Sequence, residues 1–190
     1  ALELGSGAVG IAGLCMAWRW AKRTKGNSHR IILTDHDDAL LRQLKYNLSN
    51  NSHIIHGVEG NELNTIDCQV VSLDWCQPTA VDWDVLLMGR QLDIILGSEL
   101  VYTPETATAC RDCILDLTER FPSALVCIVQ IVDREGWQNI FLPGLRDAGL
   151  FVVEEAVDVD CDAAANLMMK RGGSLDRFDF GICYISRIKF

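Results

Sequence analysis

Short apolar runs alternate with longer amphipathic segments along the chain. The apolar runs predict strands at residues 1–4, 30–34, 68–73, 92–97, 125–129, 150–155 and 180–188. Helical spacing of apolar residues predicts helices between these strands. One covers 9–25, one contains the apolar stripe Leu40, Leu41, Leu44 and Leu48, one begins at Pro104, and one lies around 137–145. This alternation predicts a doubly wound α/β fold whose sheet of seven strands is mostly parallel. The last two runs have no helix between them, which predicts an antiparallel last strand in a hairpin at the sheet edge.

The chain of 190 residues shows no repeat and no linker, which predicts one domain spanning 1–190. Apolar residues make up 49% and charged residues 23%, the balance of a soluble globular protein. No apolar run approaches the roughly 20 residues of a membrane helix. The chain begins in a predicted core strand and without Met, so we expect an N-terminal segment of the domain to be missing.

The net charge of −9 and the sequence pI of about 4.8 disfavour nucleic acid as a partner, because an acidic surface repels phosphate groups. A basic protein segment fits the charge better. The eight dispersed cysteines favour reduced core residues of an intracellular protein over a secreted disulfide framework. We expect a monomer in the cytoplasm, with the nucleus as the alternative compartment. Cys110 and Cys113 have metal-ligand spacing but share an apolar helix face without a second pair, so we predict core packing and no metal.

Ligands of open α/β sheets bind beyond the carboxyl ends of the strands. After the first predicted strand, the stretch Gly5–Gly10 fits the G-x-G-x-x-G pattern, with Ser6 and Gly7 in the turn, and permits a nicotinamide dinucleotide. Glu3 would repel a pyrophosphate and attract an ammonium group such as that of S-adenosylmethionine. Its carboxylate could instead be satisfied by nearby backbone N–H groups. The loop with its acid therefore favours S-adenosylmethionine.

Acidic and aromatic residues follow the next two predicted strands. Asp35 ends the second and could accept hydrogen bonds from both hydroxyls of a ribose, or serve as a helix N-cap. Asp74 and Trp75 end the third; an indole offers a flat face to adenine, and a carboxylate can accept from the exocyclic amine. The alternative for Trp75 is that it only covers the sheet edge.

The fourth predicted strand ends in small residues followed by a carboxylate and a phenol. Gly97 and Ser98 would let a ligand lie against the backbone, while Glu99 and Tyr102 could hold an incoming amine. A lysine must be neutral to attack a methyl group, and its ordinary pKa is about 10.4. Burial against an aromatic ring lowers that pKa, and a carboxylate can orient the N–H groups.

These motifs together resemble methyltransferase family 16, a group of class I, seven-strand enzymes of which many methylate lysines in specific proteins. The resemblance spans nearly the whole chain, and the part from Glu99 to Gly149 is loosely nearest to the elongation factor 2 lysine methyltransferase branch. The motifs that carry it are Leu2-Glu3-Leu4-Gly5-Ser6-Gly7, Leu33-Thr34-Asp35, Leu73-Asp74-Trp75 and Ile94-Ile95-Leu96-Gly97-Ser98-Glu99-Leu100-Val101-Tyr102.

The resemblance implies that the residues 5–7, Asp35, Trp75 and Ser98 contact S-adenosylmethionine and that a protein lysine accepts the methyl group, a translation factor being one candidate substrate. Family members usually have Asp where this chain has Glu99, which keeps the charge and lengthens the reach. Two alternatives stay open on the sequence: an NAD(P)-dependent oxidoreductase, which the glycine pattern permits, and a truncated, catalytically inactive binding module.

Overall fold

The described residues of the chain, 1–23, 28–51, 66–77, 82–157 and 180–187 in a computed structural model, contain one sheet of seven strands. The strands are β1 (Leu2–Leu4), β2 (His29–Asp35), β3 (Ile66–Ser72), β4 (Ile94–Ser98), β5 (Leu125–Ile131), β6 (Phe151–Val157) and β7 (Phe180–Ser186). Their order is β3-β2-β1-β4-β5-β7-β6. Strands β1 to β5 pair in parallel, and β7 is antiparallel to both of its neighbours. The predicted fold class is confirmed.

Strand order reverses between β1 and β4, which are neighbours with Leu4 in register with Gly97. From β1 the chain continues outward to β2 and β3, and after β3 it returns to the other side of β1. Crossovers on the two sides leave in opposite directions and open a crevice beyond the strand ends. The topology therefore predicts the ligand site at the carboxyl ends of β1 and β4.

The helices are α1 (Ile11–Arg23), α2 (Asp38–Asn50), α3 (Trp83–Leu87), α4 (Pro104–Arg120) and α5 (Leu142–Asp147), the last preceded by a π-helical turn (Trp137–Phe141). Local side chains fix the starts of α2 and α4. Asp37 caps α2 by accepting from the N–H groups of Ala39 and Leu40. Thr103 and Thr106 satisfy each other's backbone N–H groups at the start of α4, and Pro104 occupies its first turn.

Two apolar clusters bind the helices to the sheet. One joins α1 and α2 to β2 and β3 through buried residues such as Ala17, Leu33 and Leu44. The larger joins α4 and the π-helical turn to the central strands and contains Cys110 and Cys113, both fully buried. Core packing of this cysteine pair is thus confirmed, and no group of residues suited to a metal occurs within the described part of the chain. Nor does any described helix combine the length and apolarity needed to cross a membrane.

Several predicted boundaries shift. Helix α1 begins at Ile11 rather than Val9, β3 begins two residues before Cys68, and α3 was not predicted. Pro143 lies in the first turn of α5, which begins directly after the π-helical turn. Strand β7 lies between β5 and β6, so β6 rather than the last strand occupies the sheet edge. Residues 52–65, and residues 158–179 between the last two strands, where no helix is predicted, lie outside the described residues.

Candidate functional site

A cavity of about 370 Å³ lies at the carboxyl ends of β1 to β4, within the usual size range of small-molecule sites. Loops after four strands and the first turns of two helices form its walls. The lining residues are Gly5, Gly7, Asp35, His36, Leu40, Leu73, Asp74, Trp75, Cys76, Glu99, Leu100, Tyr102, Glu105, Thr106 and Ala109. The structure thus brings seven of the ten predicted site residues to one cavity, and the other three, Glu3, Ser6 and Ser98, do not line it.

The glycine loop is held between the ends of β1 and β2 by its own backbone. The Ser6 N–H donates to the Thr34 carbonyl at 2.7 Å, and the Ser6 hydroxyl accepts from the Thr34 N–H at 3.1 Å. Gly5 and Gly7 both adopt φ of +58°. A Cβ at Gly5 would lie 2.9 Å from Leu100. Ser6 is therefore a buried structural clamp, while the two glycines expose backbone to the cavity.

Asp35 connects this loop to the start of α2. Its Oδ2 accepts from the Gly7 N–H at 3.0 Å, and its Oδ1 accepts from the N–H groups of His36 and Asp37 at 2.8 and 3.1 Å. The side chain is buried, yet it lines the cavity. A carboxylate has about four acceptor sites, so capacity remains for a ligand hydroxyl.

The residues after β3 supply the flat wall of the cavity. Leu73 is buried and donates its N–H to the Asp35 carbonyl at 2.9 Å, which ties this wall to the end of β2. Trp75 is half-buried, and its ring lies 3.2 Å from where a Cβ of Gly5 would be. Asp74 is exposed and accepts from the Cys76 N–H at 2.9 Å. An aromatic face beside bare backbone is suited to stacking a planar base.

Glu3 lies beneath the glycine loop. It is 3% exposed, and its Oε2 accepts from the Gly13 N–H at 2.9 Å. Gly13 is in the first turn of α1, where N–H groups have no partner within the helix. Burial raises the pKa of Glu3 above its ordinary value of 4.5. The geometry matches the backbone-satisfied alternative, and direct contact of Glu3 with an ammonium group stays a prediction.

The segment after β4 contributes the predicted catalytic residues. Glu99 adopts φ of +53°; its Oε1 accepts from the Ile131 N–H at 2.5 Å, and its Oε2 lies 3.4 Å from Nη2 of Arg134. Tyr102 is 52% exposed, and partial burial followed by the charge of Asp35 raises its pKa above 10.0. Its hydroxyl is therefore protonated at neutral pH. Ser98 is exposed.

Sequence reasoning missed the other lining residues of the cavity. They are His36, Leu40, Leu73, Cys76, Leu100, Glu105, Thr106 and Ala109. Most belong to the first turn of the helix that follows a strand, or directly follow a predicted residue. In a parallel sheet those first turns begin at the same edge as the strand ends, and that signal could have identified them.

The cavity lining combines apolar side chains with carboxylates. Among its described lining residues, Asp35, Asp74, Glu99 and Glu105 are acidic, and none is Lys or Arg. Such a lining attracts cations and repels phosphate groups. The charge is suited to a ligand that carries a sulfonium and an ammonium, and to an incoming amine.

A sequence model of a family described as lysine methyltransferase matches residues 1–146. Similar solved structures include a human methyltransferase 10 domain containing protein (TM-score 0.56, 12% identity, 99% of this chain and 71% of that one). A TehB-like SAM-dependent methyltransferase from Corynebacterium glutamicum has a TM-score of 0.54 at 13% identity over 97% of this chain and 78% of that one. A precorrin-6y C5,15-methyltransferase from Geobacter metallireducens has a TM-score of 0.54 at 12% identity over 98% and 79%.

At these identities the structures show the shared fold. Comparison with curated proteins gives no match in sequence. The family match covers most of the chain, including every residue that lines the cavity. The chain belongs to the lysine methyltransferase family of S-adenosylmethionine-dependent methyltransferases.

Proposed function

We propose that this protein transfers a methyl group from S-adenosylmethionine to a lysine side chain of a protein. The observation that carries the proposal is which residues line the cavity at the carboxyl ends of β1 to β4. Its wall after β1 to β3 offers glycine backbone, Asp35 and Trp75, and its wall after β4 offers Glu99 and Tyr102. One side is suited to a nucleoside and the other to an amine.

The residues present fit the cofactor. A Cβ at Gly5 would collide with Leu100 and approach the Trp75 ring, so glycine lets both cavity-lining side chains pack against the loop, while the open space around Gly7 leaves its backbone accessible to a ligand. We propose that Asp35 accepts from the ribose hydroxyls and that Trp75 stacks on the adenine, with Asp74 accepting from its amine. Bound S-adenosylmethionine supplies an electrophilic methyl group on a sulfonium.

The acceptor side must bind a lysine and present it in neutral form. We propose that the Glu99 carboxylate attracts the lysine ammonium and orients the remaining N–H groups once a proton has left to solvent. The Tyr102 ring, exposed at the cavity mouth, covers the lysine stem and lowers its pKa by excluding water. Positioning of the nitrogen for in-line displacement then supplies most of the catalysis.

The acidic chain favours a substrate whose lysine lies in a basic segment. A translation factor with such a segment is one candidate, and the cytoplasm is the expected compartment. We expect the protein to act as a monomer.

The test is a methylation assay with isotopically labelled S-adenosylmethionine on a cell lysate, followed by mass spectrometry of labelled proteins. We expect label on lysine, lost with Asp35→Ala and strongly reduced with Tyr102→Ala. Asp38→Ala, an exposed change in the first turn of α2 outside the cavity, is the matched control. Label confined to arginine, histidine or a small molecule would overturn the lysine assignment, and absence of label with a protein that binds the cofactor would favour an inactive binding module.

A further inference from the structure

The segment from Glu99 to Tyr102 leaves the sheet after β4 and runs against the end of β5. Gln130 of β5 is fully buried, and its side-chain amide pairs with both backbone groups of Val101. Its Oε1 accepts from the Val101 N–H at 3.1 Å, and its Nε2 donates to the Val101 carbonyl at 2.8 Å. The amide thus replaces the strand partner that Val101 lacks once β4 has ended.

Two further contacts fix the same segment. The Glu99 N–H donates to the Val129 carbonyl at 2.9 Å, and the Glu99 carboxylate accepts from the Ile131 N–H. Glu99 has a left-handed backbone that is uncommon for a residue with a side chain. Such a conformation persists only where the surroundings impose it. The contacts from β5 are those surroundings.

This anchoring determines one wall of the cavity. Glu99, Leu100 and Tyr102 all line it, and Leu100 packs where a Cβ of Gly97 would be. Gln130 itself does not line the cavity. It therefore affects the chemistry only through the segment that it holds, whereas the contacts of Gly7 and Asp35 lie on the other side of the crevice.

We propose that Gln130 is a positioning residue, which by pairing with both backbone groups of Val101 holds Glu99 and Tyr102 in place to receive the methyl acceptor. The proposal rests on the proposed function for the identity of that acceptor. It predicts that losing the amide damages use of the acceptor while binding of the cofactor persists. A role in general stability would impair both together.

Hydrogen–deuterium exchange tests the contact independently of activity. In the unmodified protein the Val101 amide should exchange at least tenfold more slowly than an exposed amide, and Gln130→Met, which keeps length and removes both hydrogen bonds, should accelerate it at least tenfold. A Val101 amide that exchanges freely in the unmodified protein overturns the proposal without any variant. Unchanged exchange in a folded Gln130→Met protein also overturns it.

Kinetics then test the consequence. For Gln130→Met we expect kcat/KM for the lysine acceptor to fall at least tenfold, with the Kd of S-adenosylhomocysteine within about threefold of the unmodified value. Thr118→Val is the matched control, since it removes a buried hydrogen bond from the Thr118 hydroxyl to the Ile114 carbonyl. Thr118 lies in α4 and does not line the cavity. It should lower the melting temperature and leave kcat and KM unchanged.

The outcomes separate the two proposals. Faster exchange with unchanged acceptor kinetics contradicts the positioning role and leaves the methyltransferase proposal standing. Parallel losses of acceptor kinetics and cofactor affinity likewise reduce Gln130 to a stability role. An unmodified protein that methylates no lysine defeats the proposed function, and the exchange of the Val101 amide then decides alone whether Gln130 fixes this wall.

Discussion

Two neighbouring turns of this protein share three residues of sequence and then place a left-handed residue fourth. The stretch Leu4-Gly5-Ser6-Gly7 begins at the last residue of β1, and Leu96-Gly97-Ser98-Glu99 runs through the end of β4, the strand beside it. The fourth residue is left-handed in both, with φ of +58° at Gly7 and +53° at Glu99. Glycine adopts this conformation freely, whereas a residue with a Cβ pays roughly 1–2 kcal/mol.

The difference lies in how each turn is held and what it offers. Gly7 is anchored by its own N–H, which donates to Asp35, and a Cβ there would meet nothing within 4 Å. Glu99 is anchored by its carboxylate and by β5, against the preference of its backbone. A loop that must let a cofactor approach the main chain carries no side chain. A loop that must present a carboxylate to an acceptor accepts strain and depends on its neighbours.

The largest expected effect comes from removing the anchor of the first loop. Asp35→Ala leaves the Gly7 N–H without its partner and removes the proposed ribose ligand, so S-adenosylhomocysteine should bind more weakly by roughly 1–3 kcal/mol. Isothermal titration calorimetry measures this, with exposed Asp38→Ala as control. Equal affinity in the Asp35 variant would show that the nucleoside lies elsewhere.

The wall that packs over Gly5 gives the next effect. Trp75→Ala removes the half-buried ring beside the loop and should weaken cofactor binding by roughly 1–2 kcal/mol, the scale of an aromatic contact with its buried area. Trp18→Ala is the matched control, since Trp18 is 46% exposed on α1 outside the cavity and lies under the Lys22 ammonium. Matching losses in both variants would argue against stacking on Trp75.

Substitutions at the two left-handed residues test whether backbone strain differs between the two turns. Gly7→Ala should lower the free energy of unfolding by about 1 kcal/mol through backbone strain, because open space surrounds the new Cβ. Glu99→Gly relieves the same strain but removes the acceptor for Ile131, so its net change in stability should be smaller than that of Gly7→Ala. Denaturant unfolding measures both stabilities. Of these two variants, only Glu99→Gly should lose methyl transfer while it still binds the cofactor. A Gly7→Ala protein as stable as the unmodified one would contradict the strain argument.

The smallest effect concerns the carboxylate beneath the first loop. Burial raises the pKa of Glu3, so the folded state holds its proton more tightly than the unfolded state. The protonated Glu3 side chain therefore contributes to the free energy of unfolding below pH 4.5, and this contribution is lost as the pH rises through the raised pKa. Glu3→Gln keeps an acceptor for the Gly13 N–H but cannot titrate. Its stability should therefore fall less than that of the unmodified protein as the pH rises from 4.5 through the raised pKa of Glu3. Denaturation midpoints at a series of pH values test this, and parallel curves would contradict it.

The sequence was sufficient to predict the alternation of elements, the N-terminal placement of Pro104 and the position of Asp35 at the crevice. These depend on local periodicity and on the rule that parallel strand ends share an edge. The partner of Glu3 could not be predicted, because it depends on α1 beginning at Ile11 and so bringing the Gly13 N–H over a buried carboxylate.

Contacts between distant residues, and one short helix, could not be predicted from the sequence either. Gln130 reads as one polar residue at the end of an apolar run, and its partner Val101 is 29 residues away. Helix α3 has five residues, too few to show a period. The position of β7 between β5 and β6 is set by pairing rather than by any pattern within either strand.

The central claim is that this crevice binds S-adenosylmethionine through the loop after β1. Calorimetric titration of the purified protein with S-adenosylhomocysteine, and separately with NAD, tests it most directly. We expect one site for S-adenosylhomocysteine, with an affinity that Asp35→Ala weakens, and no heat with NAD. Tight NAD binding with no heat from S-adenosylhomocysteine would contradict it.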